Sequence, residues 1–97
     1  METTKSNLQI NHDLIGKLFY IKVKGGNAEL HYKRHGDEVM EITSTTVPEE
    51  SRQFGIGGSL LESAIAFAKE QQLAIKPTCS FAADYLKEHS EYHALLA

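Results

Sequence analysis

The chain has 97 residues, of which 41% are hydrophobic and 24% are charged, and its formal net charge is −3. This length and composition favour one globular domain, and no apolar run approaches the roughly 20 residues that a membrane-spanning helix needs. The chain has one cysteine, Cys79, which excludes an internal disulfide framework and an all-cysteine zinc site.

The first residues of the chain show no sustained hydrophobic period. We therefore predict that residues 1–16 form a partly ordered lead-in to a single domain at residues 17–97. The lead-in also lacks the apolar segment of a secretory signal peptide, so we expect a cytoplasmic protein with no membrane partner.

The next part of the chain has the pattern of an antiparallel meander. Gly25 and Gly26 favour a tight turn, because glycine accepts positive φ, and a second turn is indicated around Gly36. Between and beside these turns, apolar alternation and β-branched residues are typical of strands. The three strands are predicted at residues 18–24, 28–33 and 38–47.

A helical pattern follows Pro48, which ends the third strand because proline has no amide donor. Apolar residues recur at helical spacing and predict a helix over residues 57–72. The apolar segment 73–79 predicts a fourth strand, which a right-handed crossover places parallel to the third. A short C-terminal helix is predicted around residues 81–86. The fold class is therefore α+β, with a mixed sheet.

The charges are unevenly distributed along the chain. Residues 17–36 contain five basic residues and one acidic residue, whereas residues 37–50 contain five acidic residues and no basic one. One basic hairpin is less than the broad basic face with which proteins bind nucleic acid, so we expect no nucleic-acid partner. The acidic run favours a cationic ligand through electrostatic steering.

The most informative segment lies between the third strand and the helix, at residues 47–59. It places Gly55, Gly57 and Gly58 within four positions, at the predicted helix start. A helix start has unpaired amides and a partial positive charge, and glycine lets an anion approach them without a Cβ in the way. Arg52 adds a charged donor. The segment therefore predicts a phosphate-binding site, and the alternative is a glycine-rich loop that only turns a corner.

Two common nucleotide-binding motifs do not fit this segment. It lacks the Gly-Lys-Ser/Thr sequence of a P-loop. Leu60 stands where a dinucleotide fingerprint has its third glycine, and the sheet that precedes the segment is predicted to be antiparallel.

Residues 52–57 resemble the acyl-CoA pyrophosphate loop of GNAT-superfamily N-acetyltransferases, which reads Arg/Gln-x-x-Gly-x-Gly/Ala. The chain is also similar to the small single-domain branch of that superfamily, which has a Val-Pro-Glu-Glu-like lead (here residues 47–50) and a Pro-x-Cys-Ser/Pro-Phe segment (here residues 77–81). The similarity covers about residues 19–96. One departure is Ser44, which occupies a position where that branch often has a histidine.

The resemblance implies a truncated GNAT-like fold and the direct attack of an amine on acetyl-CoA. The loop amides and Arg52 would hold the pyrophosphate, and the third strand near Thr45 and Val47 would bond the pantetheine and polarise the thioester carbonyl. Cys79 would lie near the thioester. The cofactor-binding residues implied are Thr45, Val47, Arg52, Gln53, Phe54, Gly55, Ile56, Gly57, Gly58, Ser59 and Cys79.

Catalytic candidates are few. The resemblance implies that Tyr85 protonates the departing thiolate, with packing on the sheet as the alternative. Cys79 is a candidate nucleophile or general acid, or else a small buried residue, and Glu41 is a candidate base acting through water. His89 and His93 are four residues apart but lack the arrangement of a zinc-protease motif, so we predict no metal site.

The leading hypothesis is an acetyl-CoA-dependent N-acetyltransferase acting on an unidentified amine, either a small molecule or a protein lysine. The alternatives are a non-catalytic acetyl-CoA or CoA sensor and a protein-interaction module. Fuller GNAT enzymes have further helices and strands around the acceptor. We therefore expect an acceptor site that is open or completed by a partner, and oligomerisation is compatible with this.

Overall fold

The computed structural model of the chain describes residues 9–97. Part of the predicted lead-in, residues 1–8, lies outside the described residues. Within the described part, the chain forms one five-stranded sheet whose strands lie side by side in chain order. The strands are β1 (Asn11–Asp13), β2 (Leu18–Val23), β3 (Gly26–His35), β4 (Val39–Thr46) and β5 (Ala74–Pro77).

The strands from β1 to β4 pair antiparallel, and β5 pairs parallel to β4. The predicted α+β class, with a meander followed by a parallel strand, is confirmed. β1 is an addition, because three residues are too few to display strand alternation in the sequence. His12 anchors it: the His12 ring stacks on Phe19 with 4.0 Å between centroids, and its Nε2 lies 2.6 Å from the Tyr32 hydroxyl oxygen.

The helices of the described residues are α1 (Ile56–Gln71), α2 (Ser80–Glu88) and two 3₁₀ helices, Glu49–Phe54 and Ser90–Leu95. α1 begins within one residue of the prediction. It ends where Gln72 adopts a left-handed conformation (φ 59°) and its amide bonds back to carbonyls of the last helical turn. No helix within residues 9–97 is long and apolar enough to cross a membrane.

Both α-helices pack on the same face of the sheet. The inward side chains of the strands and the apolar side of α1 form one buried cluster, to which α2 adds Ala82 and Leu86. The largest fully buried side chains are Leu30, Met40, Ile42, Leu60, Leu61, Ile65, Ile75 and Leu86. The opposite face of the sheet carries polar and charged side chains, so the sheet is amphipathic.

A β-bulge in β4 determines where β4 separates from β5. The pairing register with β3 shifts after Ile42, so that Thr43 has no partner residue on β3. β5 pairs with β4 only as far as Ile42, and the amides of Thr78 and Cys79 both donate to the Ile42 carbonyl, at 3.0 and 3.1 Å. A bulge bends its strand. The remainder of β4 therefore runs on without β5 beside it, and a gap opens between the two strands.

Candidate active site

The gap between β4 and β5 opens into a cleft of about 420 Å³ beside the start of α1. The cleft is lined by Thr45, Thr46, Val47, Arg52, Gly55, Gly57, Gly58 and Phe81. Six of the predicted cofactor-binding residues are in this lining. Five of the predicted residues do not line the cleft: Gln53, Phe54, Ile56, Ser59 and Cys79.

The remaining loop residues have positions that explain this division. Ile56 is buried in the core, whereas Phe54 projects outward with 64% of its surface exposed. The Ser59 amide donates to the Gly55 carbonyl at 3.1 Å. This bond closes the first turn of α1, so the amides available to an anion are those before Ser59.

Two of the three glycines in the loop, Gly55 and Gly57, have a clear structural reason. Gly55 joins the first 3₁₀ helix to α1 in a left-handed conformation (φ 70°), which favours glycine. A Cβ on Gly57 would lie 3.1 Å from Phe81 Cζ, and a Cβ on Gly58 would lie 3.5 Å from Tyr85 Cε2. Only Gly55 is needed to turn the corner. Gly57 lets α2 approach the start of α1 and leaves the helix amides accessible.

Arg52 is held at the cleft by the strand that leads into the loop. Its Nε donates to the Val47 carbonyl at 3.0 Å. No carboxylate within residues 9–97 forms an ion pair with the guanidinium. Its charge therefore adds to the positive end of the α1 dipole, and the combination favours an anion in the cleft.

Cys79 lies across the gap from β4. Its Sγ is 3.6 Å from the Thr45 hydroxyl oxygen and accepts from the Ala82 amide at 3.4 Å, so it also caps α2. The side chain is half-buried. Although Cys79 does not line the cleft, its thiol contacts a residue that does.

Tyr85 is not among the lining residues of the cleft, although its ring lies beside Gly58, and its hydroxyl is directed toward Glu62 on α1. Its hydroxyl donates to one oxygen of Glu62, and the Tyr92 hydroxyl donates to the other at 2.6 Å. Burial and the Glu62 carboxylate raise the pKa of Tyr85 well above its ordinary value. The His89 ring stacks on Tyr85, with 4.0 Å between centroids. Glu62 therefore ties α2 and the C-terminal 3₁₀ helix to α1, a role that its position on the predicted helix did not reveal.

Glu41 lies where the gap begins, on the sheet face opposite the helices. Its carboxylate accepts a hydrogen bond from the Thr78 hydroxyl and another from His35 Nε2 at 2.8 Å. The two hydrogen bonds, that of Thr78 first, lower the pKa of the Glu41 carboxyl. Only 16% of this side chain is exposed. The sequence marked Glu41 as a candidate base but showed neither of its partners.

The two C-terminal histidines do not share one helix face. His89 follows α2 and bonds through Nδ1 to the Tyr85 carbonyl at 2.7 Å, whereas His93 lies in the C-terminal 3₁₀ helix. Over residues 9–97, no group of three or more His, Cys, Asp or Glu side chains is arranged to hold a metal ion.

Comparison with known proteins connects this site to a family. A model of the GCN5-related N-acetyl-transferase family matches residues 18–95. Protein NATD1 of Gallus gallus is 30% identical over 84 residues, covering 84% of this chain and 76% of that protein. Protein NATD1 of Homo sapiens is 29% identical over 84 residues, covering 84% of this chain and 74% of that protein.

A solved structure has the same fold. The NMR solution structure of a GCN5-like protein from Staphylococcus aureus matches with a TM-score of 0.74 and 30% sequence identity, covering 95% of this chain and 90% of that one. The family match spans most of the chain and includes the glycine loop, β5 and α2. The chain therefore belongs to the GCN5-related N-acetyltransferase family.

Proposed function

We propose that the protein is an acetyl-CoA-dependent N-acetyltransferase that acylates an amine by direct transfer. The observation that supports this most is the cleft, which lies where β4 separates from β5 and beside the glycine-rich start of α1. Family membership supports acyl transfer in general. We place the reaction in the cytoplasm, a compartment in which acetyl-CoA is available.

The residues of the cleft suit the two chemically different parts of a CoA molecule. The loop amides from Phe54 to Gly58, together with Arg52, would bind the pyrophosphate; Gln53 and Ser59 flank them. The backbone of Thr45–Val47, which β5 does not pair with, would bond the amides of the pantetheine in strand fashion. Bound acetyl-CoA would supply the acetyl group as a thioester, whose carbonyl carbon an amine attacks.

Three proton movements are needed: the acceptor ammonium loses one proton before attack, the attacking nitrogen loses a second as the amide forms and the C–S bond breaks, and the departing thiolate gains one. The group that protonates the thiolate would take up the second N–H proton. Glu41 would take the proton of the acceptor ammonium through a water molecule. The ammonium N–H bond breaks and its proton forms an O–H bond with the water, while the water passes one of its own protons to the Glu41 carboxylate. A backbone amide near Val47 would donate to the thioester carbonyl and stabilise the charge that develops there. Because its hydrogen bonds lower the pKa of Glu41, the carboxylate is ionised at neutral pH.

The departing thiolate needs a proton, for which Cys79 and Tyr85 are the candidates. The Cys79 thiol contacts Thr45 at the cleft. The Tyr85 hydroxyl, by contrast, donates a hydrogen bond to Glu62, and the raised pKa of Tyr85 makes this hydroxyl a weaker acid. We therefore assign proton donation to Cys79 first and to Tyr85 second. This assignment needs no acyl-cysteine intermediate.

The test is binding of acetyl-CoA, followed by acceptor-dependent release of free CoA. Acetyl-CoA at 100 times its Kd should raise the free energy of unfolding by about 2.7 kcal/mol. Arg52→Ala should weaken binding at least tenfold. Arg34→Ala is the matched control, because Arg34 pairs with Asp37 at the opposite end of β4 and its loss should leave the affinity unchanged.

The outcomes separate the possible functions. Absence of any stabilisation by acetyl-CoA or CoA would overturn the proposal in favour of an interaction module. Tight binding with no release of CoA across a broad amine panel would instead indicate a sensor.

A further inference from the structure

The sheet face opposite the helices surrounds Glu41 with positive charge. In the pairing register, Lys33 on β3 and Lys76 on β5 are the direct cross-strand partners of Glu41. In an antiparallel pair such as β3 and β4, side chains in directly opposite positions have Cβ atoms about 4.5–5.5 Å apart. Both lysines are exposed. The candidate base is therefore flanked by a lysine on each of the two neighbouring strands.

The Glu41 carboxylate forms an ion pair with neither lysine. One of its oxygens bonds to His35 and the other to Thr78, and residues 9–97 contain no carboxylate within ion-pair distance of Lys33 or Lys76. Both lysine charges are therefore available to a molecule that approaches Glu41.

Two other charged residues on this face, Glu29 and Lys22, follow the same pattern. Glu29, on the same face of β3, is engaged by His31 Nε2 at 2.9 Å. Lys22 on β2 is exposed and has no carboxylate partner among the described residues. Glu29 and Glu41 are thus each bonded to a histidine, whereas Lys22, Lys33 and Lys76 form no ion pair with any carboxylate of residues 9–97, so three unpaired lysines lie on this face beside two carboxylates.

The acidic run at residues 37–50 does not offset this charge. Asp37 and Glu38 lie at the turn before β4, whereas Glu49 and Glu50 lie in the 3₁₀ helix after it. An eight-residue strand separates the two groups by about 27 Å. The steering of a cationic acceptor that the sequence favoured therefore has no single acidic patch to act through.

We propose that the acceptor is an amine that also carries an anionic group, a carboxylate or a phosphate, and that Lys33 and Lys76 bind this group while the amine meets Glu41. The gap between β4 and β5 connects this face to the cleft, so an amine arriving here would reach the thioester from the side opposite the helices. The inference rests on the proposed acetyltransferase function.

The experiment compares acceptors of matched length, with acetyl-CoA saturating and release of CoA as the readout. β-Alanine is compared with propylamine, and O-phosphoethanolamine with 2-methoxyethylamine, while diaminobutane represents cationic acceptors. We expect kcat/KM for the anionic member of at least one pair to exceed that of its neutral-tailed partner tenfold or more, and the pair that does so identifies carboxylate or phosphate. The preference should weaken as salt rises.

Charge reversal assigns the effect to the two lysines. Lys33→Glu and Lys76→Glu should each remove most of the preference, and the double variant should favour diaminobutane. Lys87→Glu on α2 is the matched control and should keep the wild-type preference. A preference that survives the double variant would overturn the assignment.

Two further measurements separate this inference from the proposed function. Binding of acetyl-CoA and turnover of propylamine test the transferase alone. If both occur and diaminobutane is the better acceptor, only the inference about the acceptor is wrong. NMR titration of β-alanine and O-phosphoethanolamine into the protein, with and without CoA, reports acceptor binding directly. If neither compound shifts the amide signals of Lys33, Glu41 or Lys76, the anion site is refuted whether or not turnover is seen.

Discussion

The Sγ atom of Cys79 lies 3.6 Å from the hydroxyl oxygen of Thr45, across the gap that separates β5 from β4. The contact joins the N-terminus of α2 to a residue of the cleft lining. It also places the protein's one thiol within reach of the cleft without making it part of the lining.

If Cys79 is the proton donor, Cys79→Ala should lower kcat by about 10²-fold, a typical contribution of general acid catalysis. The Kd for acetyl-CoA should change little. Cys79→Ser is the informative companion, because serine keeps a cap on α2 and a dissociable proton, and it should retain part of the activity. An acetylated protein detected by intact mass, and lost in Cys79→Ala, would instead show a covalent route. If kcat in Tyr85→Phe falls further than in Cys79→Ala, the order of the two donors is reversed.

The two glycines at the start of α1 should respond differently to alanine. Gly57→Ala would bring its Cβ to 3.1 Å from the Phe81 ring, whereas Gly58→Ala makes an ordinary contact at 3.5 Å. We expect Gly58→Ala to be neutral or to stabilise by up to about 1 kcal/mol, because alanine is the better helix former. Gly57→Ala should destabilise the protein and weaken acetyl-CoA binding.

Thermal unfolding and calorimetric titration measure both effects. Adding Phe81→Leu to Gly57→Ala should restore stability by relieving the contact. If Gly57→Ala is as stable as Gly58→Ala and binds acetyl-CoA normally, then the close packing of α2 on the loop contributes neither to stability nor to acetyl-CoA binding.

Glu41 should be an active base throughout the neutral range. Hydrogen bonds from Thr78 and His35 lower the pKa of its carboxyl below the ordinary value of 4.5. The pH profile of kcat/KM should therefore show no loss of this base between about pH 5 and 8, and Glu41→Gln should lower the rate about 10²-fold across that range. Glu38→Gln, at the turn before β4, is the matched control. An acidic limb near pH 6.5 that disappears in Glu41→Gln would contradict the lowered pKa.

Alkaline pH should weaken the attachment of the C-terminal segment to α1. The hydrogen bond to Glu62, with burial, raises the pKa of Tyr92 from 10.0 to about 12. A raised folded-state pKa means that the stabilisation is complete below pH 10 and is lost as the pH rises from 10 to about 12. The urea midpoint should therefore fall over this range. Glu62→Gln should flatten the fall, whereas Glu70→Gln, also on α1, should not.

The order of the strands and helices was predictable because most of them show a hydrophobic period in their own local sequence. The side chains of β2 to β4 alternate with the period of a strand, and those of α1 recur with the period of a helix. The glycines at the start of α1 are likewise visible in the local sequence. β1 was missed for the same reason, since residues 11–13 are too short to display a period. The predicted fourth strand is longer than β5, because the amides of Thr78 and Cys79 both turn to the Ile42 carbonyl instead of continuing the ladder.

By itself, then, the sequence determined the fold class, the glycine loop with Arg52, and through its motifs the family. Only the tertiary structure decided how these residues meet. The bulge at Thr43 separates β4 from β5, the Glu62 carboxylate accepts a hydrogen bond from the Tyr85 hydroxyl, and the register of three strands sets Glu41 between Lys33 and Lys76. Two of these relationships join residues far apart in the chain: Glu62 and Tyr85 are 23 positions apart, and Glu41 and Lys76 are 35 positions apart. No local period encodes them, because they depend on strand register and on the approach of α2 to α1.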